Sequence, residues 1–238
     1  MQEHSDTKLI TNWQELDETV TACCLCPRLV AWREEVAATK RRAYRNNVYW
    51  GKPVPGFGDL NARLLVVGLA PGAHGSNRTG RMFTGDASGD FLFPALHRAG
   101  FASQPDAVHR EDGLRLSDMY ITAVCRCVPP ANKPKAAEIK NCKPYLLSEI
   151  RLLENLQGIV ALGRIAFDQV IRLYRAQGHS IPTLKFGHGV HYSLGEGQPW
   201  LLASYHPSRQ NTQTGRLTVE MFDQIWQKSQ AFLNGQNP

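Results

Sequence analysis

Arg63-Leu64-Leu65-Val66-Val67 runs without a break into Gly68-Leu69-Ala70-Pro71-Gly72-Ala73-His74-Gly75. A short apolar run stopped by glycine reads as a strand buried on both faces, which is the habit of parallel sheets. The loop that follows is rich in glycine, yet it matches neither GxGxxG nor GxxxxGK[ST], so dinucleotide and P-loop phosphate sites are excluded. It continues as Gly75-Ser76-Asn77-Arg78-Thr79-Gly80-Arg81-Met82-Phe83-Thr84-Gly85-Asp86. That stretch offers backbone N–H groups, one aromatic face at Phe83 and one carboxylate at Asp86. Long ordered loops of this kind tend to carry function.

The same alternation continues outward. Met119 to Val124, Gly158 to Leu162 and Trp200 to Ser204 are three more strand-like runs. Between and after them lie helical stretches: Phe91 to Ala99, about 135–155 with Ile139, Cys142, Leu146, Ile150 and Leu153 on one stripe, 164–176, and a last one carrying Phe222, Ile225, Trp226, Ser229 and Phe232. Trp13, Leu16 and Val20 predict a short helix ahead of Cys23, and residues 28–42 a second. The glycine-rich stretch 187–197 suits a small hairpin. Strand, helix, strand, helix at these lengths predicts an α/β fold with parallel pairing and helices on both faces. Ligands of such sheets bind beyond the carboxyl ends of the strands. Three chemically suggestive segments follow strands: the 68–75 loop, Cys127 through Asn132, and His206-Pro207-Ser208-Arg209-Gln210-Asn211.

The 238 residues suffice for one domain over 1–238, with 1–9 and 234–238 expected as loose tails. An apolar share of 42 % and a charged share of 20 % place the chain among ordinary globular proteins. No apolar run reaches the roughly 20 residues of a bilayer crossing, and the N-terminus lacks a secretory pattern. The expectation is an intracellular protein away from membranes, in which six cysteines serve as metal ligands or buried apolar groups rather than bridges. A net charge of +6 favours an anionic partner. Lys40-Arg41-Arg42 with Arg45 is the densest basic cluster; a solvated helix end is the plainer reading of it.

Cys23-x-x-Cys26 by itself fits a redox pair, a zinc half-site or chance. A second pair has to come from Cys125, Cys127 and Cys142; Cys127 lies just past its strand, whereas Cys142 on an apolar helix face also suits a buried structural thiol. Spacing alone does not separate zinc from a [4Fe–4S] cluster. It also leaves room for a non-catalytic nucleic-acid-binding protein with a structural zinc, or for an electron-transfer protein. His206 after a strand can stabilise a negatively charged leaving group. Ser208, Arg209, Gln210 and Asn211 have the reach to touch phosphates or fill a gap in a base stack.

Taken with their order, Cys23 to Glu34, Gly68 to Asp86, Cys127 to Pro134 with Cys142, and His206 to Asn211 resemble the uracil-DNA glycosylase superfamily, specifically its family 5. Leu69 stands where family 4 carries Glu. The resemblance implies a three-layer α/β/α sandwich around a central four-stranded, mainly parallel sheet. It implies a structural [4Fe–4S] cluster on Cys23, Cys26, Cys127 and Cys142, with Cys24 and Cys125 as spectators. It implies a monofunctional, monomeric DNA glycosylase of base excision repair, cytoplasmic and nucleoid-associated. The substrate would be DNA containing uracil or other damaged bases, such as hypoxanthine, xanthine or etheno-adducts. Catalysis would fall to Asp86, Asn132 and His206, and base binding to Gly68, Gly72, Ala73, His74, Phe83 and Asn132. Ser208 through Asn211 would contact the DNA.

Overall fold

The structure, a computed structural model, describes residues 10–236; of the expected tails, 1–9 and the last two residues of 234–238 lie outside them. Two helices come first. Asn12 accepts the N–H of Glu15 at 2.9 Å and so caps α1 (Trp13–Thr21), whose Leu16 and Val20 are buried against Tyr145. Pro27 opens α2 (Pro27–Thr39) from the first turn, where a missing N–H costs nothing. The expected extension to residue 42 fails because Lys40 turns left-handed at φ 53°, and a single 3₁₀ turn, Arg42–Tyr44, replaces it.

The sheet has six strands, not four. β1 (Phe57–Gly58), β2 (Leu64–Gly68), β3 (Met119–Ala123), β4 (Gly158–Leu162), β5 (His191–Ser193) and β6 (Trp200–Ser204) lie in the order β1-β3-β2-β4-β6-β5. The four central strands are the predicted ones and are parallel, with Val66 level with Ile121 on one side and Val160 on the other. The two additions are antiparallel edges of two and three residues. Edges this short leave little unpaired backbone to recruit another strand. They are also too short to carry an alternation of their own.

Side-chain alternation along the strands divides the core in two. Leu64, Val66, Ile121, Val160 and Leu202 face α4 (Ala87–Arg98) and α8 (Val219–Leu233). Leu65, Val67, Ile159, Ala161 and Leu201 face α5 (Ala136–Leu152) and α6 (Arg164–Ala176). All ten are 0 % exposed, and each such side chain contributes on the order of 1.5–3 kcal/mol by leaving water. The stripe expected on α8 shifts by one position. Leu233 enters the core, while Phe232 stacks on His191 at 4.2 Å and shields the β5 edge. Residues 234–236 close that helix through Gln236 N–H to Ala231 O, with Gly235 at φ 72°.

Among the described residues no helix is long and apolar enough to cross a membrane. A fully buried ion pair, Arg126 with Glu149, joins the segment after β3 to α5.

Candidate active site

The carboxyl ends of β2, β3 and β6 carry the segments singled out by the sequence. After β2 the chain loops through 69–75, makes the single turn α3 (Ser76–Thr79), and reaches Phe83 and Asp86 just before α4. Asp86 is the N-cap of α4: its Oδ1 accepts the N–H of Ser88 at 3.0 Å and of Gly89 at 3.3 Å. The helix therefore starts four residues earlier than the apolar pattern from Phe91 predicts.

The second oxygen of Asp86 lies against the glycine loop. A Cβ on Gly72 would stand 2.6 Å from Oδ2, and one on Gly75 would stand 1.9 Å from it. At Gly75 only glycine admits the carboxylate; at Gly72 only the carboxylate tip is met. Burial raises the Asp86 carboxyl above its ordinary value of 3.8, against the lowering effect of the two N–H donors. This half-buried group has one oxygen pinned and the other presented to the loop. It suits the binding and activation of a water.

Phe83 sits at φ 53°, unusual for a bulky residue. Its carbonyl crosses α4 at Gly89, where a Cβ would be 1.8 Å away, so the first turn of α4 holds the backbone in place. The ring lies flush on the end of β2, 2.7 Å from where a Cβ on Gly68 would be, and faces His206 at 5.9 Å and 30°. It is 8 % exposed, part core and part site wall.

His206 follows β6. The Asn211 amide donates to its carbonyl oxygen at 2.8 Å, and Ser208 Oγ caps α7 (Arg209–Gln213). Asn211, expected on the DNA, is thus engaged inside the loop; Arg209 and Gln210 are exposed on α7. Burial lowers the His206 imidazole to about 4, so at neutral pH it is an uncharged donor. Behind it a cavity of about 290 Å³ is bordered by Leu69, Gly163, Phe186 and Tyr205, and does not reach Asp86 or Phe83.

His74 accepts or donates at Nδ1 with the Tyr49 hydroxyl, 3.1 Å away, and burial followed by Arg41 and Arg78 lowers its pKa. Ala73 beside it is half-buried. Arg78 clasps the loop, donating from Nε to His74 O at 2.7 Å and from Nη2 to Gly85 O at 3.1 Å. Asn132 ends a 3₁₀ turn after β3 at φ 56° and is exposed. Among the described residues no side-chain hydrogen bond joins Asn132 to Asp86 or His206. The structure packs the Phe83 ring against Gly68 and His206, and sets the Asp86 carboxylate against Gly72 and Gly75; Asn132 lies on the exposed turn after β3.

The four cysteines come from three places. Cys23 follows α1, Cys26 caps α2, Cys127 lies past β3 and Cys142 is on α5. Their thiols are electrostatic neighbours: Cys23 and Cys142 each act on both Cys26 and Cys127. The buried Arg33 donates from Nη1 to Cys127 Sγ at 3.2 Å and to Cys23 O at 3.1 Å, and Asn141 donates to Cys26 Sγ at 3.4 Å. Cys125 is fully buried and its thiol donates to Cys142, holding the latter near 7. Burial pushes the Cys127 thiol up to about 12. Among the described residues no three His, Cys, Asp or Glu side chains close on one point as a single-ion site does.

Tyr49, Arg78, Arg33 and Asn141 escaped the sequence reading. No spacing marks them, because two of their contacts span 25 and 94 residues and Arg78 works through backbone carbonyls.

With this geometry in hand, comparison with known proteins is informative. Residues 55–230 match the family model of the uracil DNA glycosylase superfamily. A type-5 uracil-DNA glycosylase of Thermus thermophilus is 56 % identical over 208 residues, 87 % of this chain and 92 % of that protein. One from Mycobacterium bovis is 53 % identical over 216 residues, covering 90 % and 80 %. A type-4 enzyme of Pyrobaculum aerophilum is 31 % identical over 196 residues, covering 82 % of each. The gap between the type-5 and type-4 relatives, together with a bound carboxylate and an aromatic wall at one sheet edge, decides the assignment: this chain belongs to the uracil-DNA glycosylase superfamily, in its family 5.

Proposed function

We propose that this protein is a monofunctional uracil-DNA glycosylase, which swings the damaged nucleotide out of the duplex and hydrolyses its N-glycosidic bond. The observation that carries the reading is Asp86, with one oxygen tied to the start of α4 and the other facing the glycine loop, three residues after Phe83, whose ring faces His206. Water held by Asp86 Oδ2 adds to C1′ of the sugar as the C–N bond breaks. The sugar develops oxocarbenium character, and the bonding pair leaves with the base. Asp86 takes the water proton. His206, neutral, donates a hydrogen bond toward the departing base, an electrostatic contribution of about 3–4 kcal/mol for a well-placed donor. Phe83 and the backbone of the 68–75 loop, with Ala73 and His74, form the base wall. Asn132, on the exposed turn after β3, is assigned to hydrogen-bond the edge of the base and to share the positioning of the water.

The pocket's glycine-lined, carboxylate-bearing wall is also compatible with hypoxanthine, xanthine and etheno-adducts as substrates. Cys23, Cys26, Cys127 and Cys142 form an all-sulfur donor set, with N–H donors from Arg33 and Asn141 directed at two of the sulfurs. That set fits a [4Fe–4S] cluster. Its role here is structural: it would tie the α1–α2 segment to β3 and α5 beside the site. A monomer working in the cytoplasm at the nucleoid completes the reading.

The test is an incision assay. A duplex carrying one uracil should release free uracil and break only after alkali, the mark of an enzyme without lyase activity. An intact strand after alkali would rule the reading out. Immediate strand scission would rule out a monofunctional enzyme.

A further inference from the structure

The basic turn between α2 and the site loop is not a loose helix end. Tyr44 in its 3₁₀ turn lies beneath the Arg78 guanidinium, 4.1 Å from ring centroid to Cζ, and Arg78 is the residue that clasps the 74–85 loop. Further along, Trp50 N–H donates to Arg78 O at 2.9 Å and Gly51 N–H to Asn77 O at 3.0 Å, while Tyr49 reaches His74. Residues 40–51 are therefore strapped along the rim of the candidate active site by four contacts.

On this strap Arg41, Arg42 and Arg45 are exposed. Among the described residues none of the three has a carboxylate partner, whereas Arg28, Arg33, Arg63, Arg81, Arg98 and Arg126 each hold one. Three unneutralised guanidiniums within five residues, on a rigid support, repel one another in the free protein. An anion with several spaced charges would relieve that repulsion. The field already reaches the site, since Arg41 contributes to the lowered pKa of His74.

We propose that the 40–45 turn is a phosphate-binding arm, on which Arg41, Arg42 and Arg45 grip the DNA backbone beside the extruded nucleotide. The inference rests on the proposed glycosylase reading for the identity of the polyanion. Arginine suits the task because its planar fork matches phosphate oxygens two at a time. Such contacts position the duplex without reading sequence. The arm hands its register directly to the catalytic loop, because the same Arg78 holds both.

The experiment measures the affinity of the full-length protein for a uracil duplex and for an undamaged one as salt is raised. Each phosphate contact adds about 0.9 to the slope of log affinity against log salt. The triple variant Arg41→Gln/Arg42→Gln/Arg45→Gln should lose about 2–3 from that slope on both duplexes. At about 0.1 M salt it should bind one to two orders of magnitude more weakly. Arg41→Lys/Arg42→Lys/Arg45→Lys should keep most of the slope, and the exposed control triple Arg151→Gln/Arg172→Gln/Lys185→Gln should leave it unchanged. An unaltered slope in the arm variant overturns the proposal, as does an equal loss in the control, which would signify net charge alone. If the parent releases no uracil the glycosylase reading fails; the slope on undamaged duplex still reads the arm independently.

Discussion

Asp86 does two jobs with its two oxygens, and substitutions separate them. Asn caps helices about as well as Asp, so Asp86→Asn keeps the start of α4 and removes only the charge facing the loop. Single-turnover uracil release should drop by about 10²–10⁴-fold, while duplex affinity and unfolding midpoint hold. Because burial holds its pKa above 3.8, the parent's rate should climb with pH through that raised value as the carboxylate forms, and the Asn variant should lack this limb. A rate profile identical in both proteins would remove Asp86 from the chemistry. Gly75 is a second residue-scale test. A methyl there would meet Oδ2 at 1.9 Å and Cγ at 2.5 Å, whereas on Gly72 it meets only Oδ2 closely, at 2.6 Å. Gly75→Ala should cost about 1–3 kcal/mol of stability in urea unfolding and most of the activity. Gly72→Ala should do less on both measures. Asp86 and the two glycines are visible as residue types in the sequence, but their mutual fit is not, since the contacts close only when α4 docks.

At the scale of elements, the cysteines show how secondary structure sorts similar residues. Cys125 and Cys127 are two apart past β3, so their side chains leave the backbone on the same side of an extended chain, yet Cys125 faces Cys142 in the core and Cys127 faces Arg33. On the proposed cluster assignment, the purified protein should show broad visible absorbance, and Cys127→Ala should abolish it and lower the thermal midpoint. Cys125→Ala should keep the colour and lose about 1 kcal/mol for the small void it leaves. Loss of colour in the Cys125 variant alone would exchange their roles. Helix and strand identity was legible here wherever an element was long enough to show a period: all four central strands and α5, α6 and α8. What stayed hidden was short or began off pattern. β1 and β5 exist because neighbouring strands offer them partners, and α4 starts at a polar cap rather than at its first apolar residue.

Across the whole molecule, the site depends on two faces of one sheet staying in register. Arg126 and Glu149, each 1 % exposed, form the ionic tie between β3 and α5, and Arg126 Nε and Nη1 have no other partner. Removing one member of a buried pair strands the other charge, at about 3–5 kcal/mol. Glu149→Ala should show a loss of that size in equilibrium unfolding; a change under 1 kcal/mol would mean that water reaches Arg126. Composition could not forecast this pair, because Arg126 and Glu149 look like any surface residues until the sheet and α5 enclose them.

Apolar runs of five residues, each ending at a polar loop, were enough by themselves to determine a parallel layered sheet with its chemistry along one edge. Burial on both faces is a local property of composition, and chain direction then places every following loop at the same end. Tertiary structure alone decided which oxygen of Asp86 is free, which cysteine meets which, where Asn132 stands, and that Tyr44 of the basic turn packs on Arg78 of the site loop. Those outcomes rest on contacts between residues far apart in the chain, whose energies exist only once the elements have packed.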